Sequence, residues 1–250
     1  MNEYLTNLNK IEFVVTDACT GRCKHCSQGE HSARGAKIDG EIAADAVRRI
    51  AAEYNITTVM VFGGEPLLHL SAVFAIMNAA TKLNIKRRQL ITNGFFATDK
   101  KVIRETVAGL FASGVNEILL SVDAFHQETI PLDTVMSFTK EVVAYGIPMR
   151  LSPAWLVSRE DENLYNEKTR KILAEFSEMK IPVGDGNVVF SEGNAIKYLN
   201  EYFTESLPEN PYIEDPCQIK CVSFAANGDV LGENVYKKDV GEILSGYMPR

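Results

Sequence analysis

The chain has 250 residues, of which 46% are hydrophobic and 24% are charged, and its formal net charge at pH 7 is −7. These values are typical of a folded globular protein, and the acidic balance argues against a broad nucleic-acid interface, which needs a basic face. No run of about 18 apolar residues predicts a membrane span, and the first residues lack the pattern of a secretory signal peptide. We therefore expect a cytoplasmic protein that contacts neither membrane nor nucleic acid.

Short apolar runs alternate with segments of helical periodicity along most of the chain. The runs are rich in Val, Ile, Leu and Phe and are bounded by Gly, Asp, Asn or Pro, as buried strands are. They cover residues 11–16, 57–62, 88–92, 116–122, 147–155 and 183–190. Six such units predict an α/β fold built as an open, partial (β/α)6 barrel. Functional groups should then gather at the carboxyl ends of the strands.

The composition of the chain changes near residue 206. A Pro-rich, acidic stretch at 207–216 predicts a linker, and an Asn-Gly turn signal follows at Asn227 and Gly228. We therefore expect a core at residues 1–205, followed by a linker and a short tail at residues 206–250.

Three of the five cysteines, Cys19, Cys23 and Cys26, lie close together directly after the first predicted strand. In a reducing compartment such a cluster favours metal ligation over disulfide formation. Three thiolates on an iron–sulfur cube would leave one iron without a protein ligand, and that iron could bind a substrate or cofactor. A structural zinc site is the alternative, because it needs four ligands and His25 or His31 could supply the fourth.

The next three predicted strands also end in small and polar residues. Paired glycines after strand two would let the backbone approach a ligand closely, and Glu65 beside them offers an acceptor for a cationic group. Strand alternation places Ser121 and Asp123 after strand four on one face. Each motif alone is also explained as an ordinary turn. The three motifs are Gly63, Gly64, Glu65 and Pro66; Thr92, Asn93 and Gly94; and Ser121 and Asp123.

The C-x3-C-x2-C spacing, followed in order by the Gly-Gly-Glu-Pro and Thr-Asn-Gly motifs, resembles the radical S-adenosylmethionine (SAM) superfamily. The resemblance covers residues 11 to about 200. It implies a partial barrel of the radical SAM type with a [4Fe–4S] cluster on Cys19, Cys23 and Cys26. It also implies that the open iron binds SAM, which one electron cleaves to methionine and a 5′-deoxyadenosyl radical that abstracts hydrogen from a small-molecule, peptide or protein substrate.

The resemblance also implies roles for individual residues in a SAM pocket. One departure is that the fifth predicted strand lacks a G-x-I-x-G-x-x-E pattern found in some members. Arg150 on that strand could pair with the SAM carboxylate or simply neutralise the acidic surface. The other implied positions are Gly63, Gly64, Glu65 and Pro66 for the amino group of SAM, Thr92 and Asn93 as supports, Ser121 and Asp123 near the carboxylate or ribose, and His25 with, more weakly, residues 193–195 near adenine.

The tail contains two further cysteines, Cys217 and Cys221. The segment from Cys217 through Gly228 to Glu233 resembles the opening of the auxiliary-cluster domain called SPASM, with Glu233 where that domain has a cysteine. Two thiolates cannot complete a conventional four-ligand cluster, which predicts a cluster-free remnant. The alternative is that Cys217 or Cys221 lines the substrate cavity, as a hydrogen donor or as a ligand of an unusual cluster.

The combined motifs favour an enzyme whose substrate the sequence does not identify. His126, which follows the fourth-strand motif directly, is the first candidate for a catalytic contact, and Cys217 and Cys221 are the others. A low-potential electron donor, flavodoxin or ferredoxin, is the expected partner. The alternatives are a glycyl-radical-enzyme activase and, from another class, a noncatalytic iron–sulfur or zinc redox sensor or scaffold.

Overall fold

The computed structural model describes residues 2–32, 34–203 and 210–249. Its main feature is a six-stranded sheet with the order β5-β4-β3-β2-β1-β8, in which every neighbouring pair is parallel. The sheet does not close on itself, which confirms the expected α/β partial barrel. The strands of this sheet are β1 (Lys10–Val14), β2 (Thr58–Phe62), β3 (Arg87–Thr92), β4 (Glu117–Leu120), β5 (Met149–Leu151) and β8 (Cys221–Phe224).

Helices follow the strands, and four of the seven in the described residues begin where a short polar side chain caps the first turn. Asp39 accepts hydrogen bonds from the backbone of Glu41 and Ile42 at the start of the first helix, and Asp99 caps the third in the same way. Among the described residues, every helix is too short or too polar to span a bilayer. The helices are α1 (Gly40–Glu53), α2 (Leu70–Lys82), α3 (Lys100–Ser113), α4 (Leu132–Ala144), α5 (Leu164–Ala174), α6 (Asn194–Leu199) and α7 (Val240–Ser245).

The two faces of the sheet differ because side chains alternate along each strand. One face packs against the helices and is fully buried; it includes Ile11, Phe13, Val59, Val61, Leu90, Ile118 and Leu120. The opposite face, which we call the concave face, carries both polar and apolar side chains, most of them half-buried. It carries Glu12, Val14, Met60, Phe62, Gln89, Ile91, Glu117 and Leu119.

The fifth and sixth predicted strands differ from the structure. The run at 147–155 is divided by Pro153, which has no N–H for a ladder bond, so that β5 is followed by a separate β6 (Ala154–Trp155). The run at 183–190 shortens to β7 (Asn187–Val188), which pairs with β6 outside the main sheet. Gly186 has a φ of +73° and interrupts the extended backbone before β7. The edge beside β1 belongs instead to β8.

The carboxyl-terminal segment is joined to the core through β8. Phe224 in β8 stacks on Phe13 in β1, with ring centroids 4.7 Å apart. A short hairpin follows, formed by β9 (Asp229–Val230) and β10 (Glu233–Asn234), and it turns at Leu231 and Gly232, whose φ values are +50° and +78°. The predicted turn at Asn227 and Gly228 lies between β8 and β9, with a φ of +87° at Gly228. The predicted domain boundary at 205 and 206, and residues 207–209 of the predicted linker, lie outside the described residues.

Replacing Phe224 with Ala should lower the free energy of unfolding by about 3–5 kcal/mol, because a fully buried ring would leave a cavity between β8 and β1. Phe111→Ala is the matched control, since that ring is 56% exposed on α3, and it should cost less than about 1 kcal/mol. Denaturant unfolding followed by circular dichroism measures both. Equal losses in the two variants would show that β8 is not part of the core sheet.

Candidate active site

The cysteine loop (residues 15–31) follows β1 and is held against the end of β2 by backbone contacts. The N–H of Gly64 donates to the Thr16 carbonyl, and the N–H of Glu65 donates to the Ala18 carbonyl, both at 2.8 Å. A Cβ on Gly64 would lie 2.2 Å from the Ala18 oxygen, and Gly63 has a φ of +136°. The paired glycines therefore permit a close approach, and what approaches is the backbone of the cysteine loop itself.

The three thiols of the loop are free and influence one another. Burial raises the pKa of the Cys19 thiol to about 11. Burial also raises the pKa of Cys23, and the negative charges of Asp123 and of the other two loop cysteines act in the same direction. Three neighbouring thiols of this kind ionise together only when a cationic centre compensates their charge.

The surroundings of these sulfurs suit thiolate ligands of an iron–sulfur cluster. The backbone N–H of Gly21 donates to the Cys19 sulfur at 3.3 Å, and the side-chain amide of Asn93 lies 3.7 Å from the same atom. Hydrogen bonds to sulfur are one of the ways in which proteins stabilise such clusters. The donor set therefore fits the group that the sequence predicts.

Histidine nitrogens also lie next to the loop cysteines. Nε2 of His31 is 3.2 Å from the Cys26 sulfur, while Nδ1 of the same ring is 2.7 Å from the Asp17 carbonyl oxygen. The ligand atoms of Cys23, His25 and His126 all lie within 4.8 Å of one another. Geometry alone therefore leaves a mixed cysteine–histidine metal site open.

Glu65 joins the ends of β2 and β3 from a fully buried position. Its carboxylate accepts hydrogen bonds from the Thr92 hydroxyl at 2.7 Å, the Asn93 N–H at 2.9 Å and the Leu67 N–H at 3.0 Å. Burial raises its pKa to about 7, although all three hydrogen bonds oppose the shift. The side chain is thus engaged within the protein, and Pro66 after it begins a short 3-10 helix.

Asn93 connects the third strand end to the cysteine loop. Its side-chain amide donates to the Thr20 hydroxyl at 3.2 Å, in addition to its contact with Cys19, and its carbonyl oxygen accepts from the N–H of Phe95. Because Glu65 holds the backbone of Asn93 and the Asn93 side chain contacts Cys19, the Gly-Gly-Glu-Pro and Thr-Asn-Gly motifs together position the cysteine loop.

A second buried carboxylate, Asp123, holds His126 beside the loop. Its two oxygens accept four hydrogen bonds, from the N–H groups of Phe125, His126 and Ala154 and from Nδ1 of His126 at 2.8 Å. Burial alone would raise the pKa of Asp123, but the charge and hydrogen bonds of His126 hold it well below its usual range. Ser121, two residues earlier, donates its N–H to the Thr92 carbonyl at 2.9 Å.

His25 carries a buried nitrogen that lacks a partner. Its Nδ1 makes no hydrogen bond among the described residues, and its ring packs at 4.9 Å from Phe125 and 4.8 Å from His126. Burial lowers the pKa of His25 to about 4, so the ring is neutral at pH 7. A buried polar atom without a partner indicates a place where a bound group can complete its hydrogen bonding.

Asn194, which sequence reasoning associated only weakly with adenine, braces the cysteine loop. Its side-chain amide donates to the Cys23 carbonyl at 3.0 Å, and its N–H donates to the Cys26 carbonyl at 2.9 Å. Gly193 has a φ of +54°, and a Cβ there would lie 2.5 Å from the Cys26 oxygen. In the sequence, the Gly193-Asn194 pair indicated a residue near the site, but it did not indicate which backbone segment the pair contacts.

Three predicted site residues lie apart from this group. The guanidinium of Arg150 is 3.3 Å from Glu117, the first residue of β4, and therefore lies toward the other end of the strands. Cys217 is exposed. Cys221 is on the concave face beside Lys10 and Glu12, where burial and the Glu12 carboxylate raise the pKa of its thiol.

Comparison with known proteins adds to this geometry. A model of the radical SAM superfamily matches residues 13–152, which include the loop cysteines and the strand-end motifs. Curated relatives include GTP 3′,8-cyclases of Geobacter sulfurreducens (28% identity over 49% of this chain and 36% of the relative) and Vibrio vulnificus (31% over 48% and 36%), and a probable one of Saccharolobus solfataricus (24% over 78% and 64%). The chain therefore spans 36% to 64% of the length of these relatives.

Solved structures share the fold at low sequence identity. Streptococcus suis SuiB bound to S-adenosylmethionine has a TM-score of 0.63 and 15% identity, over 97% of this chain and 66% of that chain. The protein anSMEcpe with bound AdoMet and Cp18Cys peptide has a TM-score of 0.56 and 15% identity, over 93% and 75%. Because the family model matches more than half of its length, this chain belongs to the radical SAM superfamily.

Proposed function

We propose that the enzyme holds a [4Fe–4S] cluster through Cys19, Cys23 and Cys26 and binds SAM at the iron that these residues leave open. The observation that carries this proposal is a loop with three free thiols, fixed at the carboxyl ends of β1, β2 and β3. When bound, the cluster would supply the single electron that cleaves SAM and so initiates hydrogen abstraction from a substrate.

The residues around the loop hold the three ligands in place before the cluster is bound. Gly64 fixes the backbone on one side of the loop, and Asn194 fixes it on the other. The Gly21 N–H and the Asn93 amide would stabilise negative charge on the Cys19 sulfur. The role of Glu65 toward SAM is indirect. Its carboxylate already accepts three hydrogen bonds from the protein, and these fix the strand ends beside the proposed SAM site.

His25 and His126 are the side chains that we assign to the bound nucleotide and the substrate. The partnerless Nδ1 of His25 supports a contact with the adenine of SAM. Asp123 holds Nδ1 of His126, so Nε2 is the ring atom left to face a ligand. The contact between the rings of His126 and His25 supports a position of His126 next to the same ligand.

The GTP 3′,8-cyclase relatives support shared radical chemistry more than a shared substrate. The first of them is covered over 36% of its length, which is too little to extend its reaction to this chain. We propose that the substrate is a small molecule bound on the concave face and that a flavodoxin or ferredoxin provides the electron. We also propose that the tail from residue 206 onward is a SPASM-like remnant without a second cluster.

The anaerobically reconstituted enzyme should form 5′-deoxyadenosine when dithionite and SAM are added. Cys19→Ala, Cys23→Ala and Cys26→Ala should each abolish this product, because two thiolates cannot retain the cluster. Ser27→Ala, an exposed position in the same loop, should leave product formation within about twofold. Liquid chromatography of the nucleoside measures the outcome, and intact SAM in the wild-type reaction would refute the proposed function.

The reconstituted wild-type protein should contain close to four irons and four sulfides per chain, as one [4Fe–4S] cluster requires. Cys217→Ser and Cys221→Ser should leave both counts unchanged, because the proposed tail binds no cluster. Colorimetric iron and sulfide assays decide the point. Counts near eight, falling to four in either variant, would instead assign a second cluster to the tail.

Asn194→Ala should weaken retention of the cluster, because the Cys23 carbonyl would lose its hydrogen bond to this side chain. A loss of about 1 kcal/mol corresponds to roughly fivefold faster cluster loss. Asn200→Ala, the same change at an exposed position after α6, is the control. Bleaching of the visible absorbance in the presence of a chelator gives the rates, and identical rates in the two variants would contradict the bracing role.

A further inference from the structure

The concave face is divided into two bands by the strand register. Two residues along a strand span about 6.6 Å, and that distance separates the bands. The apolar band lies next to the strand ends that meet the cysteine loop, and the polar band lies nearer the strand starts. The apolar band consists of Val14, Phe62, Ile91 and Leu119, and the polar band of Lys10, Glu12, Arg87, Gln89 and Glu117, with the buried Met60 between Glu12 and Gln89. Arg150 in β5 is opposite Leu119 in the register, and its guanidinium reaches back toward Glu117 in the polar band.

The side chains of the apolar band remain partly exposed. Val14 is opposite Phe62 in the register, and Ile91 is opposite Leu119. All four are half-buried, unlike their neighbours on the helix-covered face, which are fully buried. Four adjacent apolar side chains with accessible surface directly before the proposed cofactor site would favour an apolar group placed over them.

The polar band and the Arg150 guanidinium beside it together carry an excess of one positive charge. They comprise three cations, Lys10, Arg87 and Arg150, and two carboxylates, Glu12 and Glu117. Lys10 pairs with Glu12 on the β1 side, which leaves both guanidinium groups to share Glu117. The unbalanced cation therefore lies on the β3–β5 side of the concave face.

Arg150 is the cation whose hydrogen-bonding capacity is least used. Arg87 donates to Glu117 at 3.1 Å, and Gln89 donates to the same oxygen at 2.7 Å. The Arg150 guanidinium lies 3.3 Å from the other Glu117 oxygen, yet it makes no hydrogen bond to any described residue, and 41% of the side chain is exposed. Its planar donors suit a carboxylate or phosphate, which can accept two of them together.

The open side of the partial barrel is crossed by the segment that contains Tyr212. The Tyr212 hydroxyl donates to the Asn187 side chain in β7, and nine residues later the chain enters β8, which pairs with β1. The segment thus joins the β7 side of the barrel to the β1 side. This arrangement favours a small molecule over a polypeptide that would need to pass through the gap.

We infer that the substrate is a small amphiphilic anion, whose carboxylate or phosphate head binds Arg150 and whose apolar body lies on the apolar band beneath the cofactor. The inference rests on the proposed function, because it places the body of the substrate next to SAM. It also gives Arg150 a role different from the SAM carboxylate contact that the sequence resemblance implied.

Equilibrium dialysis of the reconstituted enzyme with radiolabelled six-carbon probes tests this inference. Hexanoate or hexyl phosphate should bind at least tenfold more tightly than hexylamine, and whichever binds more tightly identifies the head group. Arg150→Gln should weaken the tighter anionic probe at least tenfold while changing 1-hexanol less than twofold. Leu119→Ala should weaken all probes that bind, including 1-hexanol. The control is Arg104→Gln, whose guanidinium pairs with Glu141 on the helical layer, and it should change none of them.

The inference fails if hexylamine binds as tightly as the anions, if neither anion binds at 20 mM (roughly 2 kcal/mol of binding free energy), or if Arg150→Gln leaves anion binding unchanged. If Arg150→Gln weakens SAM binding but leaves hexanoate and hexyl phosphate binding unchanged, Arg150 binds the SAM carboxylate and not the substrate. Formation of 5′-deoxyadenosine by the wild-type preparation is measured in parallel. Its failure would refute the proposed function, whereas loss of anion selectivity alone would refute only the substrate class.

Discussion

The position of the cysteine loop depends on one contact between two segments of backbone. A Cβ on Gly64 would be 2.2 Å from the Ala18 oxygen, so the cysteine loop and the end of β2 meet at a distance that only glycine permits. The hydrogen bonds from Gly64 to Thr16 and from Glu65 to Ala18 depend on this approach. A larger residue at position 64 would displace the loop as a unit, because a carbonyl oxygen within a hydrogen-bonded backbone cannot turn aside as a flexible side chain can.

Two buried carboxylates, Glu65 and Asp123, fix the neighbouring strand ends, and their surroundings shift their pKa values in opposite directions. Burial raises the pKa of Glu65 to about 7, so this group contributes most to stability below its ordinary pKa of 4.5 and loses that contribution as pH rises toward 7. His126 holds the pKa of Asp123 well below 3.8, so Asp123 contributes above that value and its contribution is lost as pH falls below it. The site therefore combines a carboxyl supported by neutral donors with one supported by a histidine.

Local sequence patterns predicted the features that depend on local chemistry. The first four strands, the helices between them and the thiol cluster follow from periodicity and spacing, and the structure confirms the fold class. The pairing of β8 with β1 joins residues far apart in sequence, and no local pattern specifies that partner. The bracing contact of Asn194 and the pairing of Arg150 with Glu117 likewise depend on which segments the fold brings together. The strand predicted at 183–190 is longer than the observed β7, because Gly186 has a positive φ that interrupts the extended backbone and that apolar content does not indicate.

The neighbours of β1 also set an order of events during synthesis on the ribosome. β1 pairs with β2 on one side and with β8 on the other, and β8 begins only at Cys221. Until β8 has been synthesised, β1 is an edge strand with one row of unpaired N–H and C=O groups, even though β2 to β5 have already emerged. A nascent chain that stalls before this point would expose the strand leading into the cysteine loop, and a chaperone that recognises such edges would find it there.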